Sequence, residues 1–501
     1  MKYMLTGNFQ YDLGIYGLKK IFDFFNEEYK TDGRFYIETD KKPEEILELV
    51  FLYRFFQTKN KFKDLFDEIN VDIEKVTQYT LKRLSDLEKI EGFEKIKHSF
   101  FKKLALLFQN EYLNLVNPSK TKSISSFEDL ANVILENIET YYEDKNLCSF
   151  CLQNEGFGIN RMYFFFAPSH LNAFWNGKPS IFICKYCAVA NLSVVSSLVF
   201  LRKKDGTLDL KNAVVVYRPN LKDLTNLNEG LKITDIGELA KKVIDYEKLL
   251  LKQEATTKDL QIIEFYLDPQ NPHLEFYMLT DEIISNLLKI NNELEKLYTT
   301  YKDSLWGQVR EKKGYKTVNI SKELLRYLTQ NQKLFYLVQQ FSRLALMAES
   351  SRQKKDKKPL VKGFYISVLL QILKMHFELE EGLDMNYFEA FKDYGQFLRG
   401  RVYSQLSENG AINWNTFNNK IISLANSFLD ASKGSFEHFM ETLTRVMISY
   451  NASIDTDLLS MLSKDTYREI STVIALSLMT KKPGEEKPSE QKKEIVEEKS
   501  L

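Results

Sequence analysis

The chain has 501 residues, too many for one core of ordinary size, so two or three domains are expected. Lysine plus arginine and aspartate plus glutamate both number 69, so no global positive field argues for nucleic acid, and any such binding has to come from local patches. Hydrophobic residues make up 44% of the chain, enough to bury, yet no run approaches the roughly twenty apolar residues of a membrane span; residues 194–201 and 472–479 are the longest candidates and are core-sized. With no signal-peptide pattern at Met1-Lys2-Tyr3-Met4, a cytoplasmic chain without a membrane partner is expected.

In chain order, residues 3–6 read as a short strand, followed by Gly7-Asn8 and an amphipathic helix through Phe25. Helices then dominate to about Tyr142: Ile46, Leu47, Val50, Phe51 and Tyr53 to Phe56 show helical spacing, as do Leu130, Val133, Ile134, Ile138 and Tyr141. Ser126 with Asp129 predicts a capping box before the second set. From Cys148 the pattern changes to short β-branched or aromatic runs at 162–166, 180–183, 194–201, 213–217 and 262–267, bounded by Gly, Pro, Asn or Asp. After about Leu279 the pattern is again helical. Phe417, Ile421, Leu424 and Phe428 share a face, as do Phe436, Phe439, Met440, Leu443, Val446, Met447 and Tyr450, with Gly382, Gly410 and Gly434 at expected turns.

The expected architecture is α+β. A mostly helical region spans 1–145, an α+β region around a four-cysteine ribbon spans 146–279, an all-α bundle spans 280–480, and a Pro-, Glu-, Lys- and Ser-rich tail spans 481–501 without periodicity.

All four cysteines stand in two Cys-x-x-Cys pairs, Cys148/Cys151 and Cys184/Cys187. Two thiolates at that spacing bite a tetrahedral ion from one side, and two such turns complete a closed shell, so the expected cofactor is a structural zinc with no open position for catalysis. Disulfides suit a secreted chain rather than this one, a redox pair needs only one Cys-x-x-Cys, and an iron-sulfur cluster matches the ligand type.

Little suggests an enzyme. His98, His170, His273, His376 and His438 are scattered, there is no phosphate-binding loop, and Gly156-Phe157-Gly158 has too few glycines for a dinucleotide fingerprint. Between the cysteine pairs, Asn154, Arg161, Asn172, Asn176 and Lys178 are interleaved with aromatic residues, and amides and guanidinium groups can read base edges; a polar loop around a ribbon accounts for them equally well. Arg202-Lys203-Lys204, and Lys354, Lys355, Lys357 and Lys358 in a run that starts at Arg352, are candidate phosphate contacts or solvated loops.

Thr6-Gly7-Asn8 with Asp12-x-Gly14, Cys148-Ser149-Phe150-Cys151, Cys184-Lys185-Tyr186-Cys187 and a helical carboxy-terminal region, taken in that order, resemble the CXXC-CXXC family of large subunits of type I-B CRISPR interference complexes (Cascade). The resemblance implies a non-catalytic subunit that binds target double-stranded DNA, recognises the protospacer-adjacent motif, contacts the guide RNA-containing backbone subunits and recruits the helicase-nuclease. It also implies a carboxy-terminal bundle like the separate small subunit, which can arise from an internal start; Met347 and Met375 are formal candidates. The sequence lacks the His-Asp pair and the Gly-Gly-Asp-Asp motif of type III large subunits. A protein-interaction scaffold that touches no nucleic acid is the competing expectation, supported by the zero net charge.

Overall fold

Asn8 opens the first long helix, α1 (Phe9–Phe25), by accepting a hydrogen bond from the Tyr11 amide at 3.1 Å, one of the donors that a helix start leaves without an internal partner. The structure is a computed structural model and describes residues 1–78, 83–111, 124–139, 145–158, 174–175, 178–179, 181–203, 208–231, 233, 239, 260–267, 273–312, 314–353, 358–407 and 413–480. The described residues divide into two compact units, one within Met1–Leu239 and Thr257–Met278 and the other from Leu279 onward.

In the first unit, β1 (Lys2–Met4), β2 (Lys30–Thr31) and β3 (Tyr36–Glu38) form an antiparallel sheet in the order β1-β3-β2. Residues 10–18 of α1 are all buried, so this helix is internal over its first half rather than a surface helix with one apolar stripe. Helix α2 (Pro43–Thr58), two short helices, α3 (Lys63–Asp67) and α4 (Ile73–Gln78), and α5 (Phe93–Glu111) enclose a core of phenylalanines. Phe100 lies 5.3 Å from Phe55, 5.1 Å from Phe62 and 5.4 Å from Phe93, centroid to centroid, in the edge-on and tilted arrangements that aromatic quadrupoles favour. Many of the abundant aromatic residues are thus core. Helix α6 (Phe127–Glu139) begins with the expected capping box: the Asp129 amide donates to Ser126 Oγ at 3.1 Å and the Ser126 amide to Asp129 Oδ2 at 3.0 Å.

The cysteine-bearing segment adds β4 (Lys145–Leu147), β5 (Glu155–Gly158) and β8 (Phe182–Ile183) as one small sheet, and β6 (Phe174–Trp175) with β7 (Lys178–Pro179) as a two-stranded pair. Helices α7 (Lys185–Leu192) and α8 (Val194–Ser197) follow, then β9 (Val199–Arg202), β10 (Leu208–Tyr217), α9 (Leu221–Asn228), β11 (Leu260–Tyr266) and β12 (His273–Leu279), whose strands form a sheet in the order β12-β11-β10-β9. The strand expected at 194–201 is half helix. Ser193 and Ser197 return their hydroxyls to the carbonyls of Val189 and Val194, at 3.0 and 2.6 Å, and Val194 and Val195 are buried in a turn that packs on α1. The strand expected at 162–166 lies outside the described residues.

The second unit is mostly helical: α10 (Asp281–Lys289), α11 (Asn291–Thr300), α12 (Ile320–Thr329), α13 (Leu334–Gln353), α14 (Ile366–Leu379), α15 (Met385–Ser407), α16 (Trp414–Ala431), α17 (Phe436–Tyr450), α18 (Thr456–Ser460) and α19 (Tyr467–Ser477). Helix α19 is its axis, packing on α13 to α17 with residues 470–477 all buried. The buried Arg399 of α15 caps it, donating to the Leu478 carbonyl at 3.0 Å while its guanidinium lies 4.8 Å from the Phe417 ring. Gly382 occupies the turn before α15 at φ +88°, and Gly410 lies outside the described residues. The expectation of an all-α unit needs correction. Three strands, β13 (Trp306–Glu311), β14 (Gly314–Asn319) and β15 (Val361–Gly363), form an antiparallel sheet in the order β14-β13-β15. No described helix is long and apolar enough to cross a membrane.

The packing of α1 against α7 and α8 depends on two glycines. A Cβ at Gly14 would stand 2.3 Å from the Ala190 carbonyl oxygen and one at Gly17 2.0 Å from that of Ser193. Gly17→Ala is therefore expected to force α1 away from α8 and to cost about 1–3 kcal/mol, measured as a shift of the urea midpoint at unchanged slope.

Candidate metal centre

Two local turns set the four sulfurs. In the first, the Leu152 amide donates to the Cys148 carbonyl at 2.9 Å and the Cys148 amide to the Asn154 carbonyl at 2.9 Å, with Leu152 at φ +53°. In the second, Cys184 is the N-cap of α7, and its sulfur faces the Cys187 amide at 3.5 Å. Backbone donors aimed at a sulfur favour its thiolate form.

The sheet β4-β5-β8 brings the turns together. Phe157 pairs with both Lys145 and Ile183, and the turns also bond directly: the Ser149 amide donates to the Phe182 carbonyl at 2.8 Å and the Phe182 amide to Ser149 Oγ at 3.0 Å. Gly156 lies between them because a Cβ there would be 3.0 Å from Cys148 Cα and 3.1 Å from the Ile183 nitrogen.

All four sulfurs lie within 4.8 Å of one another, and Cys151 and Cys184 are 3.8 Å apart. A tetrahedron with metal–sulfur arms of about 2.3 Å has sulfur–sulfur edges of about 3.8 Å, so the spacing fits a four-thiolate metal shell. Cys148, Cys184 and Cys187 are buried and Cys151 is half-buried, and none forms a disulfide. The donor set suits a metal ion; the geometry does not by itself select which one.

The outer partners come from elements far away in sequence. Tyr11 of α1 lies against the Phe150 ring, at 4.6 Å between centroids, and its hydroxyl is 3.2 Å from Cys187 Sγ. Burial, then the neighbouring Cys187 sulfur, raises the Tyr11 pKa far above the usual phenol range, so this hydroxyl keeps its proton, which a metal-bound Cys187 thiolate would accept in a hydrogen bond. The buried Tyr3 of β1 is raised likewise, first by burial and then by the charges of Cys187 and Cys184. Asn154 directs its amide nitrogen at Cys151 Sγ (3.8 Å) and Cys184 Sγ (3.9 Å). Such outer contacts fix ligand orientation and tune a metal site.

The amino-terminal motif has a separate structural role. Asp12 is fully buried, and its carboxylate accepts from the amides of Thr6 (2.8 Å) and Gly7 (3.0 Å) and from the Tyr217 hydroxyl (2.8 Å) of β10. Burial raises its pKa and these bonds pull it back down, with the upward push the larger. Thr6-Gly7-Asn8 and Asp12-x-Gly14 thus form one clasp: Asn8 caps α1, Asp12 holds the loop, and Gly14 admits α7.

Of the residues that the sequence singles out for DNA, Asn154 belongs with the sulfurs. Lys178 lies in β7 opposite Trp175. Arg202 ends β9, its amide bonded to the Ile233 carbonyl at 2.9 Å, and Lys203 next to it is exposed. Lys358 is exposed and precedes β15. Arg161, Asn172, Asn176, Lys204, Lys354, Lys355 and Lys357 lie outside the described residues. Sequence reasoning passes over Tyr3, Tyr11 and Tyr217. Tyr11, between Asn8 and Asp12 of the motif, is the one whose position offered a signal. Comparison with protein-family models and with curated protein sequences returns no match.

Cys184→Ser is expected to release the bound metal, read by a chromogenic chelator, and to reduce the yield of folded protein. Tyr11→Phe should keep metal stoichiometry and weaken affinity about 10–100-fold, read by competition with the same chelator. Asp12→Asn turns one of the two accepting oxygens into an amide donor that faces the Thr6 or the Gly7 amide, and should destabilise the first unit by about 1–3 kcal/mol in denaturant unfolding.

Proposed function

We propose that the chain is the non-catalytic large subunit of a type I-B CRISPR RNA-guided surveillance complex. In this reading Cys148, Cys151, Cys184 and Cys187 hold a structural zinc that stabilises the segment between the two cysteine turns, and that segment meets the duplex beside the protospacer. The observation that carries the reading is the convergence of four sulfurs from two Cys-x-x-Cys turns at tetrahedral spacing, within a chain that opens on the Thr6-Gly7-Asn8 and Asp12-x-Gly14 clasp and ends in a helical unit. A closed thiolate shell serves folding rather than chemistry, and sequence readout is delegated to guide pairing, leaving the protein a short motif and the backbone shape to read.

Arg161, Asn172, Asn176 and Lys178 are assigned to the motif, and Arg202, Lys203, Lys204, Lys354, Lys355, Lys357 and Lys358 to phosphates. Asn154 leaves this set because its amide is directed at sulfur. The partners are the guide RNA-containing backbone subunits, target double-stranded DNA and the helicase-nuclease.

A second reading, an interaction scaffold whose metal-bearing and helical units dock only proteins, is favoured by the balance of 69 basic and 69 acidic residues.

The deciding measurement is affinity for short duplexes that differ only in a candidate motif, made on the guide-RNA assembly with and without this chain. The large-subunit reading expects discrimination among motifs that requires the chain. Asn172→Ala with Asn176→Ala should reorder motif preference while guide binding is unchanged. Alanine at Lys354, Lys355, Lys357 and Lys358 should weaken all duplexes equally and lower the salt slope by roughly 0.9 per lost contact. Motif-blind, salt-insensitive binding would select the scaffold.

A further inference from the structure

Two segments of the second unit that are rich in bases in the sequence are brought together by strand pairing. Residues 310–316 carry four bases, Arg310, Lys312, Lys313 and Lys316, against one acid, Glu311, while residues 352–362 carry six bases against one acid. Some forty residues separate the two segments, yet β13 pairs with β15 and joins them: Gln308 stands opposite Lys362, the Arg310 amide donates to the Leu360 carbonyl at 2.8 Å, and the Arg310 guanidinium approaches the Lys358 carbonyl at 3.5 Å.

Strand alternation sorts the side chains between two faces. Gly307, Val361 and Gly363 are buried, and β15 packs on α13. By alternation and cross-strand register, the opposite face carries Gln308 and Arg310 of β13, Tyr315 and Thr317 of β14, and Lys362 of β15. Arg310 and Thr317 are exposed and the other three are half-buried. Among the described residues of these strands no carboxylate shares this face, since Glu311 falls on the other one.

The neutral side chains are already engaged. Tyr315 donates its hydroxyl to the Pro359 carbonyl at 2.7 Å and carries the Lys362 ammonium over its ring at 4.3 Å, and Gln308 bonds Thr317 Oγ1 at 3.2 Å. Tyr315 is thereby fixed as a support for Lys362 rather than left open as a stacking surface. What the face offers outward is positive charge held on a paired sheet.

We infer that the outward face of the sheet β13–β15, through Arg310 and Lys362, binds the phosphodiester backbone of nucleic acid without reading its sequence. Charge complementarity identifies the occupant: on a chain of zero net charge, the pairing of two segments places Arg310 and Lys362 on one face that carries no carboxylate among the described residues of these strands, while Lys316 falls with Glu311 on the other, and a polyanion neutralises such a pair with release of its counterions. The inference rests on the nucleic-acid reading above and deepens it by naming a phosphate-binding face built on regular structure.

The test uses the full chain and a labelled duplex of arbitrary sequence, with affinity followed by anisotropy between about 50 and 200 mM salt. Arg310→Gln with Lys362→Gln is expected to lower the slope of log affinity against log salt by roughly 2 and to weaken duplexes of different sequence by one common factor. Arg310→Lys with Lys362→Arg, which keeps both charges, should retain the wild-type slope, and so should Lys464→Ala, an exposed lysine on the loop before α19. An unchanged slope in the glutamine variant, a loss that depends on duplex sequence, or a loss that the charge-preserving variant shares would each overturn the face while leaving the large-subunit reading in place. Absence of any duplex binding by the wild-type chain overturns the face as well; the large-subunit reading then falls only if the guide-RNA assembly also shows no motif discrimination that requires this chain.

Discussion

Four sulfurs drawn to one point are the constraint from which the first unit can be followed outward. Thiolates that close together would repel without a cation between them, so binding of a metal ion by this cluster would be coupled to the folding of the region. Cys184 and Cys187 occupy the first turn of α7, and α7 with α8 lies so close to α1 that only glycine fits at positions 14 and 17. From α1 the chain of contacts continues through the Asp12 carboxylate to Tyr217 in the four-stranded sheet. The cysteine turns, α1 and the sheet are thus linked by short-range, sterically tight contacts, and a displacement of the sulfurs is passed on through packed atoms that have no room to absorb it.

The second unit is held differently. Its axis α19 is enclosed by longer helices, and Arg399 satisfies the end of that axis from within the core. Apolar burial is the main term there, distributed over many side chains, so loss of one contact has a bounded cost. The first unit concentrates its specificity in a few ligands and one buried carboxylate, whereas the second spreads its stability across helical faces.

Some of this was legible in sequence because the signals were local. Cysteine spacing is set within single turns, and the Ser126 and Asp129 capping box lies within four residues. The helices around Phe417 and Phe439 announced themselves through 3.6-residue periodicity. What escaped was non-local or two-sided. Asp12 and Tyr217 meet across 205 positions, and nothing near either residue encodes the other. Strands β13 and β14 were hidden because Gln308, Arg310, Lys316 and Thr317 give them too few apolar residues for a period-2 pattern, and their helical surroundings dominated the reading. The run at 194–201 misled for the opposite reason: its β-branched residues favour strand, but serine hydroxyls that bond back to the preceding turn and close packing on α1 select helix for its first half.

The complete burial of α1 over residues 10–18 also has a consequence during synthesis. This helix leaves the ribosome well before the surfaces that cover it, since α7, α8 and the strand bearing Tyr217 are encoded some 170 to 210 residues later. At translation rates of about 5–20 residues per second, that helix waits roughly 10–40 s before its partners emerge. The nascent chain therefore passes through a long interval in which this helix has only the neighbouring α2 and the phenylalanine cluster to lean on, and the time needed to reach the second cysteine pair sets the earliest moment at which the four sulfurs can meet.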